Sequence, residues 1–240
     1  MSKDKIKIHI RNNHWKEDSL PCDLEGEINS TITKKIFENM LNGYPEIKDK
    51  VKYLIDWDDD NFISSMKDAD ILLGWNFPTK GLREIAPNLK WIHIISAGVN
   101  HLSPFDWTKE GLVLTNSSGV HAKKAGEFGL MSILMLQNHM TRIISNQKNK
   151  EFVTLLSKPI IGQKVVVVGT GSLGGSMVKH ISLLGAEVIG INRRGGEVEG
   201  CSKVITFDKI DEVLPEADFL YLAVPETPET KGLINKKRLD

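Results

Sequence analysis

Three glycines in the second half of the chain have the spacing that lets a backbone hold phosphate. A run of four valines is followed directly by GTGSLG, with glycines at Gly169, Gly171 and Gly174. In such a motif the first glycine permits a tight turn, the second lets the backbone approach a pyrophosphate, and the third allows close packing of helix on strand. The helix that follows would offer the N–H groups of Ser172 and Leu173 to the phosphates. We interpret the segment as a dinucleotide site rather than an ordinary glycine-rich turn.

A pair of arginines lies where the ribose of a dinucleotide would be read. The predicted strand 187–192 ends 18 residues after Gly174, close to the usual spacing of about 20. An NAD site normally has Asp or Glu there, whereas this chain has Asn192, Arg193 and Arg194. Because arginine can bind a phosphate through two hydrogen bonds, we expect NADP(H) as the preferred cofactor, with NAD(H) as the alternative. A solvated charged pair in a turn is the competing interpretation.

The elements around these residues follow a repeating strand and helix pattern. Short Val- and Ile-rich runs alternate with helix-compatible stretches, which favours βαβ units and a parallel sheet. The predicted strands are 6–10, 51–55, 69–75, 89–95 and 112–116, then 164–169, 187–192, 204–206 and 219–224. The sequence therefore predicts an α/β fold in which a flavodoxin-like domain, 1–117, precedes a Rossmann NAD(P)-binding domain, 118–240.

One long apolar helix is predicted over residues 121–144. This stretch contains no proline and carries Ala, Leu, Met and Ile on most of its faces. A helix that is apolar all round is usually buried, so we expect it to be a connector packed between the two domains. The polar segment 145–150 that follows is predicted to be a surface loop.

Composition narrows the function classes. Acidic and basic residues balance at 31 each, which argues against a general nucleic-acid binder. Only Cys22 and Cys201 are present, which is too few for a disulfide framework and fits a reducing cytoplasm. The N-terminus has no apolar signal region and no stretch of 18 apolar residues occurs, so we expect a cytoplasmic protein without a membrane partner.

Five further segments carry a family resemblance. They read ADILLGW at 69–75, LKWIH at 89–93, SAGVNH at 96–101, TNSSGVH at 115–121 and TPETKGLIN at 227–235. Together with the glycine motif they resemble the D-isomer-specific 2-hydroxyacid dehydrogenases, which include phosphoglycerate, glyoxylate/hydroxypyruvate and D-lactate dehydrogenases. The resemblance implies a flavodoxin-like substrate domain, a Rossmann domain and an active site in the cleft between them. It also implies hydride transfer between a nicotinamide and a small 2-oxo or 2-hydroxy acid.

The resemblance assigns roles to particular positions. In the loop after the fourth predicted strand, backbone N–H groups would bind the carboxylate of the acid, since a glycine-containing turn can point successive amides at an anion. The positions that match substrate contacts are Trp75, Ala97, Gly98 and Val99. The positions that match cofactor contacts outside the motifs above are Val224, Pro225 and Thr230. From the residues alone, Ala97-Gly98 is equally well an ordinary turn and Trp75 a core residue.

The family's proton-transfer groups have no counterpart in the sequence. Relatives use an Arg and a His–Glu pair, and all three lie beyond the segment that matches 227–240, so we expect a C-terminally truncated chain without catalytic residues or a metal site. Such a chain should bind NADPH without turning over an acid. The alternative is a non-catalytic dinucleotide-binding or redox-sensing interaction protein. By family expectation the protein is a homodimer that pairs through 121–144, and burial of this stretch against its own domain explains its apolar character equally well.

Overall fold

The computed structural model describes residues 5–14 and 31–240, in two compact units that divide between Ser118 and Gly119. Cys22 lies outside the described residues. Every strand pair in both units is parallel, and helices connect most successive strands. The predicted α/β class is therefore confirmed. None of the helices in the described ranges combines the length and apolarity needed to cross a bilayer.

The first unit is built on a five-stranded sheet. Its strands are β1 (Ile6–Asn12), β2 (Val51–Trp57), β3 (Ile71–Gly74), β4 (Trp91–Ile94) and β5 (Val113–Asn116), in the order β2-β1-β3-β4-β5. Its α-helices are α1 (Lys34–Asn42), α2 (Pro45–Lys48), α3 (Phe62–Met66) and α4 (Leu82–Ile85), and two 3-10 turns span Asn100–Leu102 and Phe105–Trp107. This strand order is the flavodoxin-like one, as predicted.

Neighbouring side chains in these strands serve two different cores. Leu72 packs with Phe62 and Ile92 on one face of the sheet, whereas the adjacent Leu73 packs with Ile10 on the other. Alternation along a strand sends successive side chains to opposite faces, so a sheet buried on both sides appears in sequence as a continuous apolar run.

The second unit contains the glycine motif. Its strands are β6 (Lys164–Val168), β7 (Glu187–Ile191), β8 (Lys203–Ile205) and β9 (Phe219–Leu222), in the order β8-β7-β6-β9. Its α-helices are α5 (Ala122–Gln137), α6 (Met140–Asn149), α7 (Ser172–Ser182), α8 (Ile210–Val213) and α9 (Lys236–Leu239). If β6 is counted as the first strand of the unit, this order reads 3-2-1-4, which is the order found in the mononucleotide-binding half of a Rossmann fold. The four valines of β6 are fully buried and alternate between two cores.

The prediction of one buried helix over 121–144 is wrong. The chain forms α5 and α6, separated at His139, whose φ of +55° is left-handed and breaks the helix. The side-chain amide of Asn138 donates to the carbonyl of Leu134 at 2.8 Å and occupies one of the last carbonyls of α5. Helix α5 is also not buried all round, since Phe128 is 61% and Leu136 58% exposed.

The predicted loop over 145–150 is also wrong, because α6 continues to Asn149. The helix has no buried residue, so its polar side chains belong to a solvated helix surface rather than to a loop. It ends at Lys150, which has a left-handed φ of +59° and whose N–H bonds back to carbonyls of the last turn. The polarity of residues 145–150 alone did not distinguish a solvated helix from a surface loop.

Candidate functional site

The glycine loop, residues 169–174, follows β6 and has two positions that only glycine can occupy. Gly169 has a φ of +91°, and a Cβ atom there would lie 2.6 Å from the carbonyl oxygen of Ala223. A Cβ on Gly174 would lie 1.8 Å from the carbonyl oxygen of Gly169. A Cβ on Gly171, in contrast, would meet no atom within 4 Å. Packing therefore requires the first and third glycines, and open space lies beside the second.

Helix α7 begins directly at this open space. Its N-cap residue is Gly171, which provides no side-chain cap, and the first residues Ser172 and Leu173 are exposed. The first N–H groups of a helix have no partner within the helix, and the helix dipole places partial positive charge on them. The exposed glycine loop and this helix start together fit a pyrophosphate, which would accept hydrogen bonds where a Cβ on residue 171 would stand.

The predicted ribose-reading residues form a turn after β7. The Oδ1 atom of Asn192 accepts hydrogen bonds from the N–H groups of Arg194 at 2.9 Å and Gly195 at 2.8 Å, and its Nδ2 donates to Thr170 Oγ1 at 2.9 Å. Asn192 therefore organises the turn with its side chain, while Arg193 and Arg194 point their charges into solvent. We call residues 193–195 the arginine turn.

A third loop, residues 224–230, follows β9 at the same edge of the sheet. Val224 contacts the glycine loop, since a Cβ on Gly169 would lie 2.8 Å from its Cγ1 atom. The hydroxyl of Thr230 donates to the carbonyl of Pro225 and accepts from the N–H of Thr227 at 2.8 Å. A hydrogen bond from Thr227 holds the pKa of Glu229 below its usual range, and the charge of Arg193 adds to this.

The cofactor residues predicted in the second unit thus lie together. The carboxyl ends of β6, β7 and β9 carry the glycine loop, the arginine turn and the 224–230 loop, as open parallel sheets do where they bind ligands.

In the first unit, the loop 96–99 after β4 presents backbone amides. Ser96 is 6% exposed and its hydroxyl donates to the carbonyl of Gly98. The amide of Asn116 donates to the carbonyl of Ala97 at 2.8 Å. Within the described residues the N–H groups of Gly98 and Val99 donate no hydrogen bond. The loop therefore has its carbonyls occupied and two successive amides available for an anion, which is the arrangement of a nest.

Trp75 follows β3, the strand beside β4. The Nε2 atom of His101 donates to the carbonyl of Trp75 at 2.8 Å, and the two rings stack with centroids 6.3 Å apart. On the other side, the buried guanidinium of Arg11 donates to the carbonyl of Asn76 and to Asp59 Oδ1 at 2.7 Å. Trp75 is half-buried and held beside the 3-10 turn that continues from the 96–99 loop.

The side-chain contacts made by several residues that shape these loops were not predicted. These residues are Arg11, Ser96, His101, Asn116 and Thr170. Apart from His101, each is a polar residue within two positions of a strand end, which is a signal available in the sequence, but its partner is set only by the fold. The described ranges contain no group of three or more His, Cys, Asp or Glu side chains that could hold a metal ion.

The fold and these loops define a two-unit α/β protein with a dinucleotide-binding half in its second unit. Residues 28–166 match the family model described as D-isomer specific 2-hydroxyacid dehydrogenase, catalytic domain. Residues 130–240 match the NAD binding domain of the same family. The chain belongs to the D-isomer specific 2-hydroxyacid dehydrogenase family, which confirms the resemblance found in the sequence and indicates a nicotinamide dinucleotide as cofactor.

Individual relatives are about one-quarter identical to this chain over the aligned residues. A glyoxylate reductase of Thermofilum pendens is 29% identical over 181 residues, covering 72% of this chain and 53% of the relative. A D-3-phosphoglycerate dehydrogenase of Mycobacterium tuberculosis is 25% identical over 194 residues, covering 79% and 37%. The matched part covers less than two thirds of the length of these curated relatives, from 37% in a D-3-phosphoglycerate dehydrogenase to 65% in an uncharacterized protein of Corynebacterium melassecola.

Solved structures show the same fold. A D-isomer specific 2-hydroxyacid dehydrogenase from Xanthobacter autotrophicus in complex with NADPH superposes with a TM-score of 0.73 at 19% identity, covering 99% of this chain and 69% of that one. A D-lactate dehydrogenase from Aquifex aeolicus with NAD and lactic acid gives 0.64 at 21% identity, covering 97% and 65%. Their identities are low enough that the likeness concerns the fold alone.

Proposed function

We propose that the protein is of the NAD(P)-dependent oxidoreductase type that transfers a hydride between a nicotinamide and a small 2-oxo or 2-hydroxy acid, and that these 240 residues supply the binding of cofactor and acid rather than the proton transfer. The glycine loop carries this proposal, because Gly169 and Gly174 are sterically required while open space lies beside Gly171. The family match and the free amides of the 96–99 loop support the choice of acid.

Each set of residues has a defined task in this proposal. The first N–H groups of α7 bind the pyrophosphate, and Val224 and Pro225 line the loop beside them. The amides of Gly98 and Val99 bind the carboxylate of the acid, and Trp75 lines the pocket beside them. When bound, the nicotinamide supplies or accepts the hydride.

We propose further that NADP(H) is preferred over NAD(H). The strand end after β7 offers two exposed arginines and an uncharged Asn192. Arginine forms charge-assisted, two-point hydrogen bonds with phosphate, whereas a carboxylate in this place would repel a 2′-phosphate.

Titration calorimetry with NADPH and NADH tests the cofactor proposal. We expect NADPH to bind roughly tenfold or more tightly than NADH, since hydrogen bonds to charged groups contribute about 1.5–3 kcal/mol. Arg193→Ala should remove most of this difference and Arg194→Ala a smaller part. Arg142→Ala, which removes an exposed arginine of α6, is the matched control. Equal affinity for the two cofactors in the wild-type protein would contradict the preference.

A catalytic role for the chain by itself is not part of this proposal. We propose that the 240-residue protein binds NADPH without oxidising it in the presence of glyoxylate or hydroxypyruvate. Two described histidines near strand ends have structural partners, since His101 bonds the carbonyl of Trp75 and His93 bonds Thr115. Steady oxidation of NADPH by the purified chain, proportional to its concentration, would contradict this.

We also propose that the protein forms a homodimer through its second unit. Helices α5 and α6 leave an apolar groove lined by Leu130, Met131 and Leu134. The segment after α6 exposes two large apolar side chains, Phe152 at 95% and Leu156 at 87%. A surface that carries both a groove and exposed apolar side chains can be complementary to a second copy of itself.

Sedimentation equilibrium tests the dimer. The wild-type protein should sediment as a dimer, and the double variant Phe152→Asp/Leu156→Asp as a monomer that keeps the far-ultraviolet circular dichroism of the folded protein. A wild-type monomer over the whole micromolar range would rule out this interface.

A further inference from the structure

One hydrogen bond joins two loops of the proposed cofactor site. Thr170 lies between the first two glycines of the glycine loop, and its hydroxyl accepts from Asn192 Nδ2 at 2.9 Å. Asn192 in turn holds the N–H groups of Arg194 and Gly195 with its Oδ1 atom. The side chain of Asn192 has therefore used its acceptor inside the arginine turn and directs its donor at the glycine loop.

We propose that the Thr170–Asn192 hydrogen bond is a specificity device that sets the preference for NADPH over NADH. Thr170 and Asn192 are positioning residues in this inference, because they act through the arginines. The inference rests on the proposed dinucleotide site. It adds that the Thr170–Asn192 pair fixes the position of the arginine turn relative to the glycine loop, where the pyrophosphate would bind.

The physical reason is that the nearby backbone hydrogen bonds, from the N–H of Asn192 to the carbonyl of Ile205 at 3.1 Å and from the N–H of Gly169 to the carbonyl of Ile191 at 2.8 Å, fix the end of β7 but not the turn beyond it. Arg193 and Arg194 are exposed, and ordering long side chains on a phosphate costs conformational entropy. A backbone that is already fixed relative to the glycine loop lowers this cost, since it does not have to be ordered on binding. NADH has no 2′-phosphate, so its affinity depends on the glycine loop and only weakly on the arginine turn. Breaking the bond should therefore weaken NADPH more than NADH.

The surroundings of Thr170 permit a clean test. Its methyl group faces Gly190 of β7, where a Cβ atom would lie 2.9 Å from Thr170 Cγ2, while its hydroxyl faces Asn192. Thr170→Val keeps the volume and the methyl contact but removes the hydroxyl. Thr170→Ser keeps the hydroxyl and removes the methyl group. The pair separates the hydrogen bond from packing.

The readout is the ratio of the dissociation constants for NADH and NADPH, measured by calorimetry on the full chain. A net hydrogen-bond contribution near 1 kcal/mol predicts that Thr170→Val lowers this ratio about fivefold, mainly through NADPH. Thr170→Ser should keep the ratio within about twofold of wild type. In an Asn192→Ala background, which has lost the same bond, Thr170→Val should change the ratio no further. If Thr170→Val does not fold, Thr170→Ala removes the same hydroxyl and should lower the ratio similarly, whereas Asn192→Ala also loses the hydrogen bonds to Arg194 and Gly195 and should lower the ratio at least as far.

The outcomes separate this inference from the proposed function. Equal loss of affinity for both cofactors in Thr170→Val would show a merely structural role and overturn the inference while the cofactor site stands. Full additivity of the two substitutions, or an unchanged ratio in Thr170→Val, would overturn it as well. A wild-type protein without preference for NADPH would contradict the proposed preference itself, and the inference with it.

Discussion

The glycine loop of the second unit and the 96–99 loop of the first both present backbone amides after a parallel strand, but different forces hold them. The glycine loop is held by steric contact, with Gly174 packed against the backbone of Gly169. The 96–99 loop is held by side chains, because Ser96 and Asn116 bind its carbonyls. A Cβ atom on Gly98 would meet no atom within 4 Å.

This difference explains why one loop can be found from sequence and the other cannot. A steric requirement leaves glycines at fixed spacing, and that spacing is visible in any single sequence. A loop held by side-chain hydrogen bonds depends on a partner such as Asn116, which comes from another strand and is close only in the folded chain. The two loops should therefore respond in opposite ways to substitution of their glycines and of their polar neighbours.

The largest effect is expected for Gly174→Ala. Its Cβ atom would meet backbone, which cannot move aside, so we expect a loss of about 2–3 kcal/mol in the free energy of unfolding and loss of NADPH binding. Gly175→Ala is the matched control, because its Cβ would lie 3.5 Å from the Thr170 carbonyl oxygen, an ordinary contact, and alanine favours a helix. If urea unfolding shows equal stability for the two variants, steric contact at Gly174 does not hold the glycine loop.

A smaller effect is expected for Asn116→Ala. The carbonyl of Ala97 loses its partner, which should cost about 1–2 kcal/mol of stability and weaken binding of glyoxylate measured by calorimetry. Gly98→Ala should leave the free energy of unfolding unchanged, because its Cβ atom meets open space. A larger loss of stability in Gly98→Ala than in Asn116→Ala would contradict the view that side chains hold this loop.

The smallest effect concerns pH and belongs to the first unit. Burial lowers the pKa of His9 below its ordinary value of 6.5, and the nearby charge of Arg11 also lowers it, against the opposing effect of Asp56, whose Oδ2 is 3.3 Å from His9 Nε2. The unfolded chain therefore takes up a proton on His9 at a higher pH than the folded chain. The stability contributed by neutral His9 is fully present above pH 6.5 and is lost as the pH falls toward the folded pKa.

Thermal unfolding at about pH 7.5 and about pH 5.5 measures this effect. His9→Gln should reduce the fall in midpoint between the two conditions. It should not abolish the fall, since burial also lowers the pKa of His93. An identical fall in the variant and the wild-type protein would show that His9 does not contribute.

The sequence predicted the sheets well and the connecting helices less well, for physical reasons. The strands of a buried parallel sheet are apolar on both faces, so the run Val165–Val168 could be recognised without knowing its neighbours. The break at His139 depends on one residue that adopts a left-handed conformation, and no glycine or proline marks it. The helix α6 carries polar side chains because it faces solvent, which made it indistinguishable from a loop.

The candidate site divides in the same way. The glycines, the arginines and the 96–99 loop could be predicted, the last only through the family resemblance. Thr170 and Asn192 are 22 residues apart, and their hydrogen bond exists because β6 and β7 are neighbours in the sheet. Such a pair is visible only when strand order and register are known.

The most direct test of the account is NADPH binding to Gly171→Ala beside the wild-type protein. A Cβ atom at position 171 meets no protein atom, so the variant should keep the thermal midpoint of the wild type. It should nevertheless bind NADPH at least roughly tenfold more weakly, because the methyl group would stand where the pyrophosphate approaches the backbone. Wild-type affinity in a fully folded Gly171→Ala protein would contradict the assignment of the dinucleotide to the glycine loop.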